Sequence, residues 1–285
     1  MTTSTPQPTA VRAGTGLGHG YVHGYSPTEA RRLGDQADTL AGLVHTGTAY
    51  PPGSRVLEAG CGVGAQTVHL LDSSPGVLLT AADISADSLA KARARVAAHA
   101  PGADVRWHHG DLHRLPFPDD SFDHVFVCFV LEHLADPAAA LAALRRVLRP
   151  GGTLTVIEGD HGTACFHPLG RAAQRVVDHL VRLQADGGGD ALIGRRLYPL
   201  LGDAGFRDVA VGLRTVSADG ARPALVESFT RRTFIAMVEA VRADAVAAGL
   251  TTAEEFDRGV AELRRTAEPG GTFHYTFFKA VAVNP

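Results

Sequence analysis

The chain has 285 residues, 45% of them hydrophobic and 20% charged, and a formal net charge of −3. That length holds one large domain with embellishments, or one domain with a small cap. The near-neutral balance supplies no electrostatic footprint for RNA or DNA, so no nucleic-acid partner is expected.

The opening "MTTSTPQPTA" lacks a basic n-region and an apolar h-region, and so predicts a disordered tail rather than a leader. Ser26 with Glu29 three residues later makes a capping box, and Pro27 falls at the first helical position. A helix should start there, with Leu33, Ala37, Leu40, Ala41 and Val44 on its apolar face. Residues 1–50 are therefore expected to form a tail and covering helix, and residues 51–285 the main domain. From Pro52 strands and helices alternate: "RVLEAG" strand, "GAQTVHLLDSS" helix, "VLLTAADIS" strand, "ADSLAKARARVAAHA" helix, "DVRWHHGD" strand and "FDHVFVCFV" strand. "DPAAALAALRRVLRPGG" follows as a helix ended by Pro150 and two glycines, then "TLTVIEGD" as a strand. Near-continuous apolar strands between helices predict an α/β, doubly wound, mostly parallel sheet covered on both faces. Ligands should bind at the carboxyl ends of its strands.

Beyond Asp160 the rhythm changes. "PLGRAAQRVVDHLVRLQADGGG" is a helix and a glycine-rich loop, and "GRRLYPLLGDAGFRDVAVGLRTV" a helix, turn and strand. "ESFTRRTFIAMVEAVRADAVAAG" and "TAEEFDRGVAELRRTAE" are two more helices, and "TFHYTFFKAVAV" is a last strand rich in aromatics. These helices exceed what a connection needs, so helical lid insertions are expected at about 163–189 and 227–268.

The three cysteines, Cys61, Cys128 and Cys165, are too few and too scattered for a disulfide framework or a zinc ribbon and suit a reducing, cytoplasmic setting. No apolar run approaches the roughly 18 residues of a membrane span, so no stable membrane insertion is expected. The fourteen histidines show no metal-ligand spacing, and no metal is expected. Asp119, Asp120 and Asp123 occupy a turn, where solvated acids are common.

The most informative stretch is "RVLEAGCGVGAQTVHLL", Arg55 to Leu71: a strand, glycines at Gly60, Gly62 and Gly64, and a helix N-terminus. Such a turn is a standing site for a polar or anionic ligand. Read with Ala65 it satisfies G-x-G-x-x-G/A, so a dinucleotide enzyme stays open on these residues alone. Asp83 ends the second strand, placed to take ribose hydroxyls, and Asp111 ends the third. The fourth strand runs directly into "VLEHLADP", and "LRPGG" announces the fifth. A nicotinamide site needs the first acid but gives no reason for the other three features.

Taken in order, "E-x-G-C-G-x-G", "GD", "LPFPDDSFD", "LEHL-x-DP" and "RPGG" resemble the class I S-adenosylmethionine-dependent methyltransferases of the small-molecule kind that includes the ubiquinone and menaquinone C-methyltransferases. The resemblance covers Pro52 to Asp160 strongly and the flanks weakly. It implies a Rossmann-like methyltransferase sheet with an antiparallel last strand, and S-adenosylmethionine as cofactor. By that likeness Glu58, Gly60, Gly62 and Gly64 shape the loop under the methionyl part. Asp83, with the following Ile84, takes the nucleoside's ribose side, and Asp111 with Leu112 reads the adenine. Cys128, Phe129 and His133 flank the methyl-donor end. Related enzymes often close the site with an N-terminal aromatic, so Tyr25 and Gln36 are expected at the cofactor. Tyr21 is expected at the substrate or a neighbouring subunit, which would make an oligomer through the N-terminal helix.

The acceptor is expected to be a bulky, largely apolar small molecule. The chain as a whole resembles C-methyltransferases of terpenoid and indole-terpenoid biosynthesis that act on a prenyl double bond. Methylating such a carbon creates a cation that aromatic faces can stabilise, and Phe129, Phe166, Phe229 and Phe234 are the candidate pocket residues. An oxygen or nitrogen acceptor would need a base instead. His161 is the candidate, with solvent-facing loop histidine as the alternative, and His133 and Tyr21 complete the catalytic expectations. Glu132 and His133 are adjacent, so at most one should point into the site. Three other readings stand beside these: an O- or N-methyltransferase, a quinone or sterol methyltransferase of primary metabolism, and a non-enzymatic cofactor-binding regulator.

Overall fold

The computed structural model describes residues 27–285, with side chains from Leu33 onward. The expected N-terminal helix is α1 (Pro27–Val44); its capping residue Ser26 lies outside the described residues. Then come β1 (Arg55–Ala59), α2 (Ala65–Ser73), β2 (Leu78–Asp83), α3 (Ala86–His99), β3 (Val105–His109) and β4 (Phe122–Cys128). Ser85 caps α3 by accepting from the Ser88 N–H, and Asp136 caps α4 (Pro137–Val147) by accepting from the Ala139 N–H. Helix α4 stops three residues short of Pro150, where a proline forbids further helix, and β5 (Leu148–Gly159) begins. Next are β6 (Cys165–His167), α5 (Arg171–Asp186), α6 (Leu197–Asp203) and β7 (Arg207–Ala218). A single turn α7 (Pro223–Leu225) opens into a π-helix (Val226–Ile235), followed by α8 (Ala236–Ala240), α9 (Arg242–Ala247), α10 (Ala253–Arg264) and β8 (Thr272–Val283).

The sheet order is β3-β2-β1-β4-β5-β8-β6, with β7 on the other edge of β8. The β1–β2, β1–β4, β2–β3 and β4–β5 pairs are parallel, whereas β8 is antiparallel to β5, β6 and β7. The doubly wound, mostly parallel sheet with an antiparallel last strand is therefore the observed fold. One face packs Leu40 and Val44 of α1, Leu70 of α2 and the apolar sides of α5, α8, α9 and α10. The other packs Leu141 and Leu144 of α4 with Leu197 and Leu201 of α6.

The register explains where the added helices stand. β8 pairs with β5 only from Phe277 to Val283, opposite Gly159 to Thr153. Its first residues run past the carboxyl end of β5, joined there by β6 on one edge and by the far end of β7 on the other. This short antiparallel extension, whose strand β6 the sequence did not announce, carries α5, the π-helix and α10 against its apolar face. Two features depart from expectation. The long helix expected over Glu227–Gly249 is π-helical to Ile235 and breaks at Val241, whose ψ of 6° leaves the helical region. No described helix is long and apolar enough to cross a membrane.

Candidate active site

The three glycines after β1 all hold left-handed backbones, with φ of +83° at Gly60, +51° at Gly62 and +75° at Gly64. Their surroundings differ. A Cβ on Gly60 would lie 2.5 Å from Val130 Cγ2, and one on Gly64 would lie 2.9 Å from the Ala92 Cα of α3. Gly60 and Gly64 are thus demanded by packing within the chain. Gly62 faces open space and is where a ligand can approach the backbone.

Asp83, at the end of β2, holds this loop: its Oδ2 accepts from the Gly62 N–H at 2.7 Å and its Oδ1 from the Ser85 N–H at 2.8 Å. Burial raises its carboxyl above the ordinary value despite those bonds. Ile84 beside it is 62% exposed, a large apolar side chain left uncovered at the strand end. Beneath, Glu58 is fully buried; Thr67 donates to its Oε2 at 2.6 Å, and burial pushes its carboxyl up to about 7. Asp111 has a local task as well. Its Oδ1 accepts from the His113 N–H at 2.9 Å and meets the His113 ring at 2.8 Å, bonds that lower its carboxyl, while Leu112 is buried.

At the end of β4, Cys128 is buried, and burial raises its thiol far above the usual range. Phe129 takes a φ of +58°, a conformation that is strained for a bulky residue, with its ring 5.3 Å from that of Phe277. The turn that follows is held by Glu158 of β5, whose Oε1 accepts from the Val130 and Leu131 N–H groups at 3.0 and 2.7 Å. In this single 3-10 turn Glu132 Oε1 lies 3.6 Å from His133 Nε2. Gln184 of α5 donates to the Glu132 carbonyl at 3.1 Å, so α5 is tied directly to this turn.

His161 is buried, not solvent-facing, and its Nδ1 lies 2.7 Å from the Tyr275 hydroxyl. Gly159 makes room for that phenol: a Cβ there would sit 2.4 Å from its oxygen. Burial, then the nearby Glu132 and Asp160, raise the Tyr275 phenol well above its ordinary value, so it keeps its proton. The preceding Asp160 is fully buried and accepts from Arg195 Nε at 2.5 Å and Nη2 at 2.8 Å. Phe229 and Phe234 of the π-helix meet Phe273, Tyr275 and Phe277 of β8, with centroid separations from 4.7 Å for Phe234–Phe273 to 6.1 Å for Phe229–Phe273. Phe166 stacks on Phe273 at 6.2 Å. The structure gathers the four predicted phenylalanines and His161 into one aromatic cluster beside the carboxyl ends of β4 and β5.

Around the glycine loop, Leu33 and Ala37 of α1 pack on Val63 and Ala65, flanking Gly64, and Gln36 is half-buried. Tyr21 and Tyr25 lie outside the described residues. Asp119 and Asp123 pair with arginines, Asp119 with Arg146 and Asp123 with Arg55 and Arg149. Tyr275, Phe273 and Phe277 were missed as individual site residues; alternation along an aromatic strand was their signal. No group of three or more potential metal ligands occurs among the described residues.

With this geometry in hand, residues 57–156 match the methyltransferase domain family. The ubiquinone/menaquinone biosynthesis C-methyltransferase of Paracoccus denitrificans is 35% identical over 147 residues, 49% of this chain and 59% of that protein. The demethylmenaquinone methyltransferase of Thermus thermophilus is 40% identical over 104 residues, 36% of this chain and 46% of that protein. The chain spans about half the length of the curated relatives it matches. Among solved structures, phosphoethanolamine N-methyltransferase 2 of Haemonchus contortus aligns with a TM-score of 0.55 at 18% identity, over 87% of this chain and 52% of that one. The cyclase SpnF aligns at 0.53 with 19% identity, over 88% and 80%. These structural likenesses establish the shared fold.

Proposed function

We propose that the chain carries a class I S-adenosylmethionine-dependent methyltransferase domain and transfers a methyl group from this cofactor to carbon in a bulky, largely apolar small molecule. The acceptor class we favour is a terpenoid or indole-terpenoid bearing a prenyl double bond. The observation that carries the reading is the aromatic cluster of Phe129, Phe229, Phe234, Tyr275 and Phe277 at the strand ends where the methyl group must arrive.

The residues suit the cofactor. Gly62 leaves open backbone, Asp83 retains lone pairs for two ribose hydroxyls, and exposed Ile84 offers an apolar face to adenine. Bound there, S-adenosylmethionine supplies an electrophilic methyl on a sulfonium. The protein's own work is to hold the acceptor in line with that methyl and keep the site dry. An alkene acceptor would become a cation as its π pair bonds to the methyl and the methyl–sulfur bond breaks with its electron pair left on the now neutral sulfur, and ring faces stabilise that cation. Restoring an alkene then requires loss of a proton from the neighbouring carbon. His161 is our candidate base for this: in the tautomer whose Nδ1–H donates to the Tyr275 oxygen, Nε2 is the basic atom.

An oxygen or nitrogen acceptor would use the same histidine as base, and the relatives of primary metabolism act on quinones by their names. Incubation with methyl-labelled cofactor and a panel of prenylated indoles, other prenyl alkenes, phenols and quinones separates these. We expect one added methyl on carbon of a prenyl acceptor, and His161→Ala to lower kcat roughly 100-fold without changing cofactor affinity. Label in quinones or on oxygen alone would contradict the acceptor class.

A further inference from the structure

Only two of the chain's 27 basic residues are lysines, and one of them, Lys279, is almost completely buried on β8. It lies on the same face of the strand as Phe273, Tyr275 and Phe277, one pleat beyond the last of these rings. Its Nζ donates to the carbonyl of Val44 at 3.2 Å, to that of Thr46 at 2.8 Å, and to the Thr48 hydroxyl. All three ammonium protons are thereby directed at the C-terminal end of α1, and three converging oxygens suit a compact ammonium better than the planar fork of arginine. No carboxylate among the described residues forms an ion pair with it; the carbonyl end of the helix dipole is its counter-charge, and the last turn of α1 carries no basic residue of its own. Next to this clamp His45 is buried, bonded through Nε2 to Gln66 Oε1 at 2.7 Å and stacked on Phe126. Gln66 belongs to the first turn of α2, two residues past Gly64. At its other end α1 lays Leu33 and Ala37 on Val63 and Ala65, and Arg95 is wedged between Gly34 and the Val63 carbonyl.

We propose that Lys279 is a positioning residue: it seats the covering helix α1 on the glycine loop, and so ties the aromatic floor on β8 to the affinity of the cofactor site. The inference rests on the methyltransferase reading for the identity of that cofactor. The strand that presents the rings to the acceptor is the strand that anchors the cover of the loop, so a displacement of one is felt by the other. A methionine at this position keeps the length and apolar stem of the side chain but leaves two buried oxygens, the Val44 carbonyl and the Thr48 hydroxyl, without the ammonium donor.

The test uses the full chain, with S-adenosylhomocysteine as probe. In Lys279→Met, amide exchange of α1 and of Val63–Thr67 should accelerate, and the dissociation constant for the probe should rise about tenfold. Thr48→Val removes one acceptor and keeps the ammonium, and should move both readings the same way by about threefold, with an unchanged melting temperature. It decides the matter if Lys279→Met does not fold. Unchanged exchange in α1 overturns the seat, and faster exchange with unaltered affinity overturns the coupling. Failure of the wild-type protein to bind the probe would instead overturn the methyltransferase reading, while the exchange of α1 still judges the seat.

Discussion

Gly60, Gly62 and Gly64 look alike in the sequence, yet only the structure separates the two that serve packing from the one that faces open space. Gly64→Ala combines a left-handed backbone with a Cβ driven into α3, and should destabilise by roughly 3 kcal/mol or more in urea unfolding. Gly62→Ala carries only the backbone term, about 1–2 kcal/mol, and should fold while binding the cofactor less tightly. Equal stability losses in the two variants would contradict this division. Glu58 gives a pH prediction. Its folded carboxyl titrates near 7 against an ordinary 4.5, so the folded state holds a proton that the unfolded chain has already released. Its contribution is therefore fully present below about 4.5 and is lost as pH rises to about 7, a change on the order of 3 kcal/mol. Urea midpoints of wild type and Glu58→Gln, compared at pH 4.5 and pH 8, should show that slope in the wild type and its reduction in the variant. Glu58 and the glycines were legible because they lie close in sequence around one turn, and Asp83 because it ends the next strand. The His161–Tyr275 bond joins residues 114 apart, and no local pattern announces it.

The elements of the parallel half were legible from apolar strands alternating with capped helices, down to Asp136 and Pro137 opening α4. Those beyond Asp160 were legible as helices but not in shape. β6 is three residues long, and its pairing with β8 depends on how far β8 overruns β5. The π-helix escaped because its apolar residues also fit an α-helical face. Its wider turn brings Phe229 and Phe234, five apart, to the same side, where both meet Tyr275. The N-terminal element carries the prediction at this scale. α1 has its own anchors in Lys279, the His45–Gln66 bond and its apolar face, none of which involves residues before Ser26. We propose that Tyr21 and Tyr25 serve turnover rather than stability, so deleting those residues should leave the melting temperature nearly unchanged while lowering turnover on the order of 100-fold. Full turnover by the shortened protein would assign both tyrosines to packing alone.

Across the whole molecule, the strand order leaves β1 and β4 adjacent, with their chains departing in opposite directions to β2 and to β5. That crevice is where a ligand belongs in an open α/β sheet, and the glycine loop, Asp83 and Phe129 border it. The parallel half was readable because this alternation is dictated locally; the packing of the added helices was not, because it depends on the overhang of β8. Architecture alone does not fix the chemistry, as the likeness to a cyclase illustrates. The central claim is therefore the cofactor, and titration calorimetry on metal-free protein tests it most directly. We expect S-adenosylmethionine and S-adenosylhomocysteine to bind one per chain. Asp83→Ala should weaken both by roughly 1.5–3 kcal/mol through loss of charged hydrogen bonds to ribose. A nicotinamide dinucleotide should give no heat. Heat with the dinucleotide, and none with either sulfur nucleoside, would contradict the account.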